Sequence, residues 1–431
     1  MNLIRNNLAL IVFLLPLSYV IGSAVTEILL LTSIILFLIL NKDRDLYFEP
    51  IILFLFIFSI YIFLSSYILI TDEYGKDLKL SSYFHFRFVL FSLAIYFLCS
   101  FIDRNKKKLF FYLFSFLILI FLIDAIFQFF HGKNVLGYGI HNSGRISSFF
   151  KDELILGSFL VRLMPIFIWS LFFFNINLKK NIFKLIIFFS LYFISIYISG
   201  GRTSFFLFVF LICSLFFLIK GLRLILFFSL LILIIFAFSI KIFDLGKVDT
   251  SHRMFVKTFQ QISNYNVREV YRTKITDNSS KNLIDSLKKI NFYSDDHEGH
   301  IKLALELFND QKIFGLGPKG FRHYCRKVNY NPNYGICSTH PHNVLIQILS
   351  ELGIIGFIFY IVAVIFILYH LIISIFKNNL SKNFLSFYAI TLGLIVNLFP
   401  LIPGGNFFNN WISIILYYNI GLYFFCYKKI F

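Results

Sequence analysis

The chain has 431 residues, 58% of them hydrophobic and 14% charged, with a mean hydropathy of +0.79, which excludes an ordinary water-soluble domain and leaves an integral membrane protein. Its 61 Phe and 24 Tyr against 8 Pro and 22 Gly also exclude a disordered or collagen-like chain. The formal charge of +18 would suit nucleic acid in a soluble protein, but the basic residues stand mostly between apolar runs, where membrane topology accounts for them and no nucleic-acid partner is needed.

Residues 1–7 and the apolar stretch after them have no small-residue cleavage site and run at once into further spans, so they read as a retained first helix. A hydrocarbon core of about 30 Å takes roughly 20 helical residues. That predicts spans near 8–24, 26–40, 50–70, 83–102, 109–130, 154–175, 184–200, 203–219, 224–240, 343–370, 384–401 and 410–426. The expected architecture is an all-α polytopic membrane bundle of about twelve spans. It divides into an N-terminal bundle (1–240, about nine spans), one large loop with short helices (241–341) and a C-terminal group (342–431, about three spans). Placing the N-terminus inside puts 16 basic residues, from Arg5, Lys42 and Arg44 through Arg104 and Lys106–Lys108 to Lys428 and Lys429, on the cytoplasmic side. The opposite short loops hold six: Lys76, Lys79, Lys133, Arg145, Lys151 and Arg202. The contrast favours this orientation, with both termini cytoplasmic and the large loop outside.

Arg87, Asp124 and Arg162 are charges inside spans. Arg87 and Asp124 fit a structural ion pair or snorkelling at least as well as ligand contact. Arg162 lies in the outer third of its span, where Pro165 suggests a local break in the backbone ladder. Arg202 follows Ser199-Gly200-Gly201 at the outer junction of two spans; the glycines admit a bulky group and a guanidinium grips phosphate bidentately, while a tight turn with an interfacial Arg is the plain alternative. Arg145, in His141-Asn142-Ser143-Gly144-Arg145, fits a second phosphate contact and a solvated loop charge equally.

The outer loop carries 16 basic and 10 acidic residues. Residues 300–309 space Ile301, Leu303, Ala304, Leu307 and Phe308 as an amphipathic helix, which Gly315-Leu316-Gly317 ends. Cys325 and Cys337 bracket a short segment and are candidates for a disulfide if the outer side is oxidising, with two free thiols as the alternative. Then comes Ser338-Thr339-His340-Pro341-His342-Asn343, the densest polar run. A helix beginning near His342 would place that imidazole at the outer surface, where it can take a proton from a sugar hydroxyl. Glu351 lies roughly two and a half turns further, too far to orient the ring, and suits a structural role. His340 and His342 with His297 and His300 offer imidazoles for a metal, yet no HExxH or closely spaced Cys or Asp accompanies them, and a wholly structural His-Asn cap is another alternative. No GxxxxGK[ST] motif is present either.

Gly200-Gly201-Arg202, the long outer loop, Phe314-Gly315-Leu316-Gly317 with Phe321, and His340-Pro341-His342-Asn343 followed by Glu351-Leu352-Gly353 and Gly356-Phe357 resemble the O-antigen ligase and polymerase superfamily over about 120–431. The resemblance implies a GT-C-like glycosyltransferase of the bacterial inner membrane. Its donor would be an undecaprenyl-diphosphate-linked glycan. Its acceptor would be lipid A-core or, in a polymerase, a second lipid-linked glycan. Carried over by motif, Arg202 matches the arginine that contacts diphosphate and His342 the proposed catalytic base. Arg145, Arg162, His300, Lys319, Arg322, His340 and Asn343 are the substrate-binding candidates. Where the family usually has another arginine before the Gly-Leu-Gly turn, this chain has His297 and His300. Diphosphate is already a leaving group, so inverting transfer with no cofactor or metal is expected. A transporter would instead show interrupted helices at the bilayer midplane, and a non-catalytic assembly protein would need neither Arg202 nor His342.

Overall fold

The structure, a computed structural model, describes residues 11, 14–69, 82–100, 107–262, 295–327, 337–377 and 381–431. Arg5, Lys76, Lys79, Arg104 and Lys106, and the side chains of Lys107, Lys108 and Arg326, lie outside the described residues. The bundle is built from α1 (Ser23–Leu40), α2 (Pro50–Leu69), α3 (Phe86–Ser100), α4 (Lys107–His131), α5 (Leu156–Phe173), α6 (Ile182–Ile198), α7 (Arg202–Leu218) and α8 (Arg223–Ile242). The outer-loop helices α9 (Asp295–Asp310) and α10 (Gly320–Lys327) follow, then α11 (Val344–Phe376), α12 (Lys382–Asn397) and α13 (Asn410–Tyr427). Six of the described helices (α1, α2, α4, α5, α8 and α11) are long and apolar enough to cross a membrane, and α3, α6 and α7 are shorter apolar helices. The protein is therefore a polytopic, all-helical integral membrane protein.

A helix that is apolar all round belongs at the centre of a bundle, and α5 is that helix here, buried along nearly its whole length. It packs chiefly on α12, where Gly393 leaves room for the Pro165 ring. Helix α5 runs on through Pro165, whose missing N–H leaves out one bond of the ladder without ending the helix. Arg87 forms the structural ion pair its sequence position allowed, bonding Glu27 of α1 at 3.1 Å and Asn410 of α13 at 3.0 Å. Asp124 is likewise structural: it accepts from the Val135 amide at 3.0 Å and from the Ser148 hydroxyl, fastening the loop after α4 to that helix. These contacts tie together the starts of α1, α3 and α13 with the segments after α4, at what we call the outer end. At the other end Lys428, after α13, meets Glu49, before α2.

One predicted span changes on inspection. The 343–370 segment is two helical pieces, because Gly353 has φ +63 and ψ −164, a conformation that side chains resist. The second piece, 354–376, is still long enough to cross the membrane at ~1.5 Å per residue. The break frees backbone groups, and the outer loop fills them. Leu316 N donates to Ser350 O at 3.0 Å, and Ile354 N donates to Lys312 O at 2.9 Å. Tyr61 of α2 seals the junction through its hydroxyl on Leu352 O at 2.5 Å. Glu351, buried, accepts from Phe321 N at 3.3 Å and from Gln347 Nε2 at 2.9 Å, which gives it the structural role its distance from His342 implied. Behind this turn Leu303, Ala304 and Leu307 of α9 pack with Leu316, Phe321 and Cys325 as a small core of their own. Cys325 and Cys337 are joined in a disulfide with Cα atoms 5.6 Å apart.

A Cβ at position 353 would run into the Ile313 backbone while holding a positive φ. Gly353→Ala is expected to cost roughly 1–3 kcal/mol and to lower the melting temperature of purified protein in a thermal-shift assay. An unchanged melting temperature would show that the loop does not depend on this docking.

Candidate functional site

Between α6 and α7 the chain turns through Ser199-Gly200-Gly201, and Gly200 has φ +66. Two more cations lie against that turn. A Cβ on Gly200 would stand 3.2 Å from Arg253 Cδ and 3.4 Å from Arg145 Cγ, which is why glycine occupies the position. Arg253 Nε donates to Gly200 O and its Nη1 to Ser143 O, both at 2.9 Å, while Arg145 Nη2 donates to Leu154 O at 2.7 Å. Main-chain carbonyls, rather than carboxylates, make these bonds, so they position the guanidinium groups without neutralising them.

The electrostatics follow. Burial pulls Arg145 down to about 10, and the charges of Arg253 and Arg202 push the same way. Arg253 is lowered by burial and by Arg202. A cluster of like charges with buried donors is stabilised by a bound anion. Arg162 lies deeper on α5, buried, donating to Ser158 and facing the Trp411 ring at 5.8 Å. The buried Nε atoms of Arg145 and Arg162 have no hydrogen-bond partner among the described residues.

The imidazole side is built around a strained residue: His342 has φ +60 and is held there by a 2.6 Å bond from Gly404 N to its carbonyl. Its ring lies among three others, with centroids 4.0 Å from His340, 4.9 Å from His297 and 5.4 Å from His300. His340 Nε2 meets Gly404 O at 3.0 Å and its Nδ1 meets Thr339 Oγ1 at 2.9 Å. A carbonyl only accepts, so His340 is protonated on Nε2. His342 Nε2 lies 2.9 Å from Ser338 Oγ, and the tautomer of the ring decides which of the two donates. Burial, followed by the neighbouring histidines, lowers His342 to about 3; burial likewise lowers His340 to about 4. Both rings are neutral near pH 7.

Asn343 caps α11 by accepting from Ile346 N at 3.1 Å and donates to Pro400 O at 2.8 Å. Both ends of its amide thus serve the fold, the structural half of the His-Asn cap reading. Lys319, with φ +62, sits in the turn over Glu351, lowered by burial and by Arg322 and Arg87 while Glu351 opposes the shift. Arg322 is near enough to His340 to lower its pKa. The structure therefore gathers His300 and His340 around His342, with Arg322 near His340 and Lys319 over Glu351, and brings Arg145 to Arg202.

The two groups share one end of the bundle. Phe206 and Phe210 of α7 pack on Phe399 at 5.9 and 5.1 Å, and the next residue, Pro400, is the one that Asn343 bonds. Sequence reading missed Arg253, which stands some fifty residues from Arg202 in the outer loop with no motif around it.

Comparison with protein-family models matches residues 187–361 to the one described as O-Antigen ligase. This segment, about two fifths of the chain, is similar to that family. Members of this family are membrane glycosyltransferases, ligases and polymerases, that act in surface polysaccharide assembly. The matched O-antigen ligase segment runs from within α6 to within α11 and includes the Gly200-Gly201-Arg202 turn, Arg253, the histidine cluster and the Gly353 break; Arg145 and Arg162 precede it. No curated protein matches the chain.

The depressed imidazoles make stability depend on pH with a definite sign. A histidine whose folded pKa lies below the unfolded value of about 6.5 binds fewer protons folded than unfolded, so stability falls as pH drops below about 6.5 toward the folded values. The melting temperature should decline from pH 7 to pH 4.5, and His340→Gln should flatten the decline; an unaltered slope would show that His340 titrates as it does in the unfolded chain.

Proposed function

We propose that the protein is an O-antigen ligase-like glycosyltransferase that moves a glycan from undecaprenyl diphosphate to a lipid A-core hydroxyl at the periplasmic face of the inner membrane. In this reading about twelve helices span the membrane, both termini are cytoplasmic, and the 241–341 loop is periplasmic. The division at 240 and 341 follows from that topology, although the Gly353 break couples the loop and α11 closely. The observation that carries the reading is the placement at one bundle end of the Gly200-Gly201-Arg202 turn, with Arg145 and Arg253 fixed against it by main-chain carbonyls, and a neutral histidine, His342, whose Nε2 meets a hydroxyl.

The chemistry fits those groups. Arg202, Arg145 and Arg253 hold the diphosphate, with Arg162 behind them, and stabilise the charge that grows as the bond from the sugar carbon to the diphosphate oxygen breaks. The acceptor hydroxyl takes the place that Ser338 Oγ marks beside His342 Nε2, forms the new bond to the sugar carbon from the opposite face and gives its proton to the imidazole. An anionic donor raises the basicity of a buried imidazole, offsetting part of the depression produced by burial. This scheme calls on no metal.

Three substitutions test it. His342→Ala should abolish transfer, and retention of wild-type transfer at several pH values would remove the residue from its role. Arg202→Lys should lower kcat/KM by about 10²-fold, since a point charge replaces a bidentate fork. Arg253→Ala should weaken donor affinity by roughly 10- to 100-fold, whereas an unchanged donor KM would make Arg253 merely a brace for the Gly200 turn. Mass spectrometry of products from lipid-linked glycan offered with lipid A-core or with a second lipid-linked glycan separates ligase from polymerase.

A further inference from the structure

Helix α8 has 20 residues, so a rise of ~1.5 Å per residue carries its last residues to the edge of a hydrocarbon core of about 30 Å. Ile242 and Phe243 stand exposed at that edge. The chain then turns back at the same level. Gly246 lies against the Phe129 ring of α4, and Lys247 N donates to Phe129 O at 3.0 Å. Lys241 Nζ donates to Asp249 Oδ2 at 3.0 Å, and Ser251 Oγ meets the Tyr197 hydroxyl at 2.7 Å. Bonds to the outer ends of α4, α6 and α8 thus fix the height at which the next segment begins, and Arg253 on Gly200 O holds it there.

That segment is a wide π-type turn, His252–Val256, which passes into the short helix Lys257–Ile262. Its two sides differ in character. Met254 is buried and Arg253 reaches inward to the Gly200 turn, while the next two residues, Phe255 and Val256, are 56% and 43% exposed. They lie within one turn of Arg253, so they share its level. At that level the exposed apolar surface of α8, Phe238 and Ile242 with Phe243 after them, faces hydrocarbon, because α8 is a membrane-crossing helix. Phe255 and Val256 continue that surface. Lys257 beside them is exposed, and a lysine stem can lie along an apolar edge while its ammonium stays among headgroups.

We propose that Phe255 and Val256 dip into the membrane leaflet at the outer end of the bundle, making 250–262 an interfacial anchor whose inner side carries Arg253. The occupant of this apolar edge is the acyl region of the bilayer itself. The anchor is a statement about membrane placement and does not require the glycan-transfer reading; joined to that reading, it sets Arg253 at headgroup level, where a lipid-linked diphosphate presents its phosphates.

The chain has two tryptophans, Trp169 and Trp411, both buried, so one added at the surface is readable above them. Full-length Phe255→Trp is placed in nanodiscs of phosphatidylcholine brominated at the ~5–10 Å depth that an interfacial helix reaches. About half of the added emission should be lost to the brominated lipid, and iodide in the water should leave it unchanged. Val256→Trp is the second variant should the first fail to fold. Quenching by iodide without quenching by the lipid puts the edge in water and overturns the proposal, and emission insensitive to both puts it against protein and overturns it equally. Phe255→Ser combined with Val256→Ser should speed amide hydrogen exchange over 250–256 by about tenfold in the same nanodiscs. Unchanged exchange overturns the coupling of the anchor to Arg253. Neither readout needs turnover, so lipid quenching in a protein that transfers no glycan refutes the reaction and leaves the anchor standing.

Discussion

Inside a membrane a backbone break is tolerated only where protein supplies the missing hydrogen bonds, and the Gly353 break is where this structure meets that demand. The 312–316 segment of the outer loop donates to and accepts from the freed groups, and Glu351 fixes the turn that follows. Because these bonds are specific in register, they determine where the rest of the loop lies. His297 and His300 on α9 reach His342, and Arg322 on α10 comes near His340, through this one attachment. The disulfide between Cys325 and Cys337 closes the same unit from its other side.

The opposite flank is organised by repulsion. Arg145 and Arg253 are placed by carbonyl oxygens of Leu154, Gly200 and Ser143, so their charges face Arg202 rather than carboxylates of their own. Like charges held by neutral dipoles are stabilised by a bound anion. Glycine at 200 is the local condition for it, since a side chain there would push both guanidinium groups away.

Between these flanks His342 combines strain with crowding by other imidazoles. Its left-handed backbone is held by the bond from Gly404 N, its Nε2 meets Ser338 Oγ, and the Gly404 carbonyl is bonded by His340. Glu351 is committed elsewhere, to Phe321 and Gln347.

Much of this was legible in the residues. Apolar runs of span length, the excess of Lys and Arg on one side and the polar character of 241–341 are local properties, so the helical membrane bundle followed from them directly. The Gly-Gly-Arg and His-Pro-His-Asn strings marked Arg202 and His342 because each carries its geometry in consecutive residues. Three features were not legible: Arg253 at the Gly200 turn, the bond from Asn343 to Pro400, and the division of α11 at Gly353. Each depends on a partner tens of residues away. Hydropathy and short motifs record what a residue is beside in the chain, whereas charge repulsion and hydrogen-bond satisfaction are fixed only when distant segments pack. The sequence determined that the chain forms a membrane bundle and which short motifs stand out in it; tertiary packing alone decided that Arg145 and Arg253 lie against the Gly200 turn and that three other imidazoles surround His342.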